Sequence, residues 1–133
     1  MRDEQATGGR RLATGDLRKG ADIADRLVEL AAAVIRLART FPRDTAARHV
    51  ASQLVRCSTS SGANYEEARA AESRADFVHK LGIAAKELRE TIFWLRLVER
   101  SAMTSADLDL LIEETAQLAA ILVASVRTAS RNT

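Results

Sequence analysis

From residue 23 onward the apolar residues recur at alternating intervals of three and four, the spacing that lines one face of an α-helix. Ile23, Leu27, Leu30, Val34, Leu37 and Phe41 form the first stripe. Asp22 is placed to cap it and Pro42 to end it, which predicts a helix over about 22–41. Beyond Asp44 or Thr45, either of which can cap, Val50, Leu54, Cys57, Ser61, Tyr65 and Ala68 share a face over about 45–71. Ser73, with Asp76 three residues on, reads as a capping box that opens a helix over about 74–100, with Phe77, Leu81, Ala84, Leu88, Ile92 and Leu95 in phase. Thr104 with Asp107 repeats that signal before a helix over about 105–128. There Leu108, Leu111, Thr115, Leu118, Leu122 and Ser125 are in phase, and Ile112, Ala119, Val123 and Val126 widen the face. Short connections between long helices make chain neighbours antiparallel, so the pattern predicts an all-α, up-down-up-down four-helix bundle.

Two features depart from this regular plan. The stripe of the second helix turns small and polar at Ser58 and Ser61, beside Gly62 and Asn64, and the third helix carries Gly82. If the chain reverses near Glu72 and Ser73, Gly62 and Gly82 come level and face each other, a notch where two backbones approach closely. Each glycine costs a helix interior about 1 kcal/mol against alanine. Buried Ser61 and Asn64 would then bond to carbonyls of the neighbouring helix, because an unsatisfied polar group costs about 1–3 kcal/mol. The second feature is on the third helix, where Ile83, Phe93, Trp94 and Leu97 fall opposite the core stripe, intermixed with Lys86 and Glu90. A bundle needs one buried face per helix, so this second patch predicts contact with another subunit.

Composition agrees with helices. Of the 133 residues 47% are hydrophobic but only 4% aromatic, with one proline. That length builds one hydrophobic core. The single cysteine, Cys57, allows no internal disulfide and falls on the apolar face as a small buried thiol. No apolar run reaches membrane-spanning length and no apolar leader opens the chain, so the expected location is the cytoplasm. The net charge is +2, and the whole surplus lies in residues 1–21, where five bases oppose three acids among several glycines. This predicts a flexible basic tail over 1–21, a formally neutral remainder, and a bundle over 22–129.

Catalytic patterns are missing. A di-metal bundle site needs Glu-x-x-His motifs. Only Asp76-Phe77-Val78-His79 resembles one, with His79 turned from the core stripe, and His49 has Ala46 at the acidic position. Glu66, Glu67, Glu87, Glu90, Glu113 and Glu114 read as solvated or ion-paired, and the run Ser58-Thr59-Ser60-Ser61 has no neighbouring histidine in sequence. No cofactor, metal or enzymatic activity is expected.

The stretches RCSTSSGANYEEA and ESRADFVHKLGIAAKELRETIFWL resemble the signature of the bacterial 23S rRNA intervening sequence proteins. The resemblance covers about residues 22–125, and it implies a non-enzymatic, ring-like homo-oligomer, typically a pentamer. A similar protein is the accessory variability determinant of diversity-generating retroelements, which binds nucleic acid and a reverse transcriptase. The resemblance therefore points to DNA or RNA, and a reverse transcriptase, as partners. Candidate phosphate contacts are Arg48, Arg56, Arg69, Arg74, Lys80, Lys86 and Arg89, with Arg10, Arg11, Arg18 and Lys19 in the tail. The alternative is a structural or protein-binding module that ignores nucleic acid.

Overall fold

A computed structural model of the chain describes residues 15–131, with side chains from Gly20 onward. Four helices account for nearly all of it: α1 over Gly15–Ala38, α2 over Thr45–Arg69, α3 over Arg74–Arg100 and α4 over Asp109–Arg131. Each packs on its neighbours in sequence, α2 and α3 most closely, and α1 closes on α4 through the thinnest contact. Among the described residues no diagonal pair brings its backbones within 8 Å. The result is an antiparallel four-helix bundle.

Local chemistry sets the boundaries. Asp44 Oδ1 accepts from Ala47 N at 2.8 Å and starts α2, and Ser73 Oγ accepts from Asp76 N at 3.0 Å and starts α3. Between α1 and α2, Phe41 leaves the helix but stays buried and plugs that end of the core. Helix α3 ends in a Schellman arrangement, with Ala102 N donating to Glu99 O and Met103 N to Val98 O. Ala102 takes a left-handed φ of 55° to do so, where glycine is usual.

Two starts differ from the sequence expectation. Helix α1 begins at Gly15, so residues 15–21 are helical and Asp22 lies inside the helix. These early turns are held by α2: the Tyr65 hydroxyl donates to Gly20 O at 3.3 Å, and a Cβ on Gly20 would stand 3.4 Å from Arg69 Nε. Helix α4 begins at Asp109, because Thr104 and Asp107 form consecutive turns instead of a capping box. Thr104 Oγ1 accepts from Ala106 N, and Asp107 Oδ1 from Asp109 N. Buried Leu108 then supplies the first helical carbonyl, to Ile112 N.

The core follows the predicted stripes, but on α3 Ile92 is only half-buried while Thr91 and Val98 are buried. Leu27 and Val34 of α1, Leu54 of α2, Leu81, Leu88 and Leu95 of α3, and Leu118 and Leu122 of α4 are fully enclosed. Ser58, Ser61, Thr91 and Thr115 are equally buried. Each hydroxyl donates to a carbonyl one turn back in its own helix: Val55, Ser58, Glu87 and Leu111 in turn. The expected bonds from Ser61 and Asn64 to a neighbouring helix are therefore replaced by local ones, with Asn64 Nδ2 donating to Ser60 O.

Candidate assembly and nucleic-acid surfaces

The α2–α3 seam is not a glycine notch. A Cβ on Gly62 would meet Leu27 Cβ of α1 at 3.5 Å, and one on Gly82 would meet nothing within 4 Å. At 100° per residue each glycine is rotated away from its buried neighbour, Ser61 or Leu81, so Gly62 turns to α1 and Gly82 to open space. The small residues buried on α3 are Ala84 and Ala85. A buried sulfur contact ties the pair instead, with Thr91 Oγ1 standing 3.1 Å from Cys57 Sγ. Burial pushes the Cys57 thiol up, which keeps it neutral.

Above this level the charges of α2 and α3 bind each other. Arg56 reaches Glu87 at 3.3 Å and also pairs with Glu90. The indole of Trp94 donates to Glu90 Oε2 at 2.9 Å, and this bond, with Arg56, holds the Glu90 carboxyl below its ordinary range. Lys80 pairs with Glu67 at 2.6 Å and Arg69 with Glu66 at 3.3 Å. Arg74 donates to the Ala129 carbonyl. Four of the candidate phosphate contacts, Arg56, Arg69, Arg74 and Lys80, are thus engaged within the chain. Arg48 donates only to the Arg43 carbonyl, and Lys86 and Arg89 are exposed with no ionic partner among the described residues. Arg10 and Arg11 lie outside the described residues. Arg18 and Lys19 fall in the first turns of α1, with side chains outside the description.

The second apolar face of α3 is present but differently weighted. Phe93 is 57% exposed and Leu97 37%, while Ile83 is half-buried. Trp94, expected on the open face, instead packs against its own core and meets His49 of α2 edge-on, with ring centroids 5.8 Å apart. Its nitrogen needs the Glu90 carboxylate, and that turns the ring toward α2.

A family model for the 23S rRNA-intervening sequence protein matches residues 19–124. The chain belongs to the 23S rRNA-intervening sequence protein family. A crystal structure of a protein with unknown function from the S23 ribosomal protein family, from Bacteroides thetaiotaomicron, shares 31% of its sequence. The alignment covers 82% of this chain and 98% of that one, with a TM-score of 0.74. No curated protein matches the chain. The family match is to no known enzyme family. Among the described residues no group of three or more His, Cys, Asp or Glu side chains is placed to hold a metal, and no helix is long and apolar enough to cross a membrane.

In this member of the 23S rRNA-intervening sequence family, two surfaces escaped the sequence reading. A shallow groove of about 420 Å³ runs between α1 and α2, lined by Val28, Ala31, Ala32 and Ile35 on one side and Thr59 and Ala63 on the other, with Gly62 and Leu27 in its floor. Its signal was a second stripe at three-and-four spacing, muted because half of it is alanine. The other is the corner between α1 and α2, where Arg36, Arg39 and Arg43 join Arg48 on the surface. The signal there was four arginines within residues 36–48.

Proposed function

We propose that this protein is a non-enzymatic scaffold that assembles with copies of itself through the outer flank of α3 and binds nucleic acid. The exposed pair Phe93 and Leu97 carries the reading, because Phe93 meets Trp94 edge-on yet stays 57% in water beside a core that is already closed. The apolar groove between α1 and α2 supplies a receiving surface on a different face. A ridge on one face and a groove on another join head to tail, the kind of contact that closes into rings. The ring and its five-fold size are part of the proposal.

Nucleic acid enters through the family, whose description ties it to an intervening sequence of 23S rRNA, and through the unpaired cations Arg48, Lys86 and Arg89. Repetition around an assembly multiplies a few cations per copy into a basic surface that contacts phosphates without reading bases. A nucleic-acid enzyme such as a reverse transcriptase belongs to the same proposal as a protein partner. Filter binding of RNA and DNA to the full chain across a salt series tests the reading. Affinity should fall linearly with salt on logarithmic axes; affinity equal at low and high salt rejects phosphate contact.

A further inference from the structure

We infer that the corner joining α1 to α2 is the phosphate-contacting surface, an inference that rests on the nucleic-acid reading and gives it a location. Residues 36–48 carry Arg36, Arg39, Arg43 and Arg48 against one carboxylate, Asp44. The rest of 22–131 carries eleven bases against fourteen acids. The neutral bundle is therefore the sum of a basic corner and an acidic remainder. All four arginines are exposed, and among the described residues none lies within ion-pair distance of a carboxylate. Asp44 is turned to cap α2. On the motif helices, by contrast, Arg56, Arg69 and Lys80 each have a glutamate partner, while Lys86 and Arg89 share the exposure of the corner.

Stability accounts for only half of this corner. Arg36 and Arg39 stand at the C-terminal end of α1, where a cation suits the helix dipole. Arg43 and Arg48 flank the N-terminal end of α2, where the same dipole disfavours a cation. Helices α3 and α4 have Asp76 and Asp109 in their first turns, and α2 has no acid there. Cations held where the fold disfavours them serve something that arrives from outside, and their sign requires an anion. Helix α3 runs antiparallel to α2, with Trp94 beside His49, so Arg96 and Arg100 come to the same end of the bundle. The carboxylates at that end are Asp44, Glu99, Asp107, Asp109 and Glu113, none of them in an ion pair with a described residue. Several unpaired guanidinium groups on one exposed corner fit a chain of phosphates, each able to accept two parallel hydrogen bonds. The contact positions a nucleic-acid backbone and reads no sequence.

The test measures fluorescence anisotropy of a labelled, mixed-sequence 30-nucleotide RNA with the full chain, from 50 to 300 mM salt. The triple variant Arg39→Glu, Arg43→Glu, Arg48→Glu should bind at least about tenfold more weakly at 50 mM salt, with a logarithmic salt slope smaller by about two to three units. The pair Lys86→Glu, Arg89→Glu on the flank of α3 should change both by less. The thermal midpoint of the triple variant should change little, because carboxylates at 43 and 48 suit the start of α2 while one at 39 opposes the end of α1. If the triple variant fails to fold, Arg43→Gln alone carries the test, with a slope smaller by about one unit. Wild-type binding with an unchanged corner variant overturns the corner and leaves the nucleic-acid reading standing. A wild-type chain that does not bind the RNA at 50 mM salt overturns both.

Discussion

The α2–α3 hairpin and the α1–α4 seam close the same bundle by different means. The hairpin has enclosed leucines, the buried Cys57 and Thr91 contact, and ion pairs from Arg56 to Glu87 and Glu90 and from Lys80 to Glu67. The α1–α4 seam is thin, and its ionic tie among the described residues is one bidentate pair, with Arg26 Nε and Nη2 reaching the two Glu114 oxygens at 2.9 and 2.8 Å. The stretch that carries the family signature therefore joins its two helices through enclosed leucines and pairs several of its charges with each other. The arginines of the α1–α2 corner and the exposed Phe93 take no part in these ion pairs.

The largest effect belongs to the hairpin core. Leu88→Ala should cost about 2–5 kcal/mol in denaturant unfolding, because Leu88 is fully enclosed. Val28→Ala, at the rim of the α1–α2 groove and 57% exposed, should change stability by less than about 0.5 kcal/mol. A Leu88→Ala loss as small as that of Val28→Ala would show that the hairpin core carries less stability than its burial implies.

Next come the ion pairs, where one chemical change is made on each side. Glu114→Gln and Glu90→Gln should each cost at most about 1 kcal/mol, since both side chains are over a third exposed. Hydrogen exchange separates them. Glu114→Gln should speed exchange along α1, which has no other ionic tie to α4 among the described residues, while Glu90→Gln should leave α3 protected by its packing. The pH dependence has a definite sign. Arg26 lowers the Glu114 carboxyl, and Trp94 with Arg56 lowers that of Glu90, both from 4.5. Each contribution is complete above that ordinary value and fades as the pH falls through the lower folded value, so acid weakens both pairs. Wild-type stability should therefore drop below about pH 4.5 more steeply than that of the Glu114→Gln variant.

The smallest effect lies outside both regions. Ala102→Gly should raise stability by up to about 1 kcal/mol, because glycine removes the cost of the left-handed turn after α3. An unchanged thermal midpoint would show that the turn holds its alanine without strain.

The helices and the Ser73 cap were legible because stripe spacing and capping are local properties of the chain. The placement of Gly62 was not, since which neighbour a small residue faces depends on the rotation of its helix by a fraction of a turn. The start of α4 was hidden because Thr104 and Asp107 are the residues of a capping box and equally those of two successive turns. For Arg56, sequence cannot say whether a guanidinium reaches outward or folds onto Glu90. The face of Trp94 was missed for a related reason: its indole nitrogen seeks an acceptor, and Glu90 one turn back supplies it.

The central claim is that α2 and α3 satisfy their own polar groups and leave the Phe93 ridge to recruit copies. Light scattering on the full chain and on Phe93→Glu, each with a helicity check by circular dichroism, tests it most directly. The account predicts a wild-type mass several times that of one chain, and a variant of single-chain mass with unchanged helicity. A wild-type chain that is a monomer at micromolar concentration, or a variant that keeps the full assembly, contradicts it.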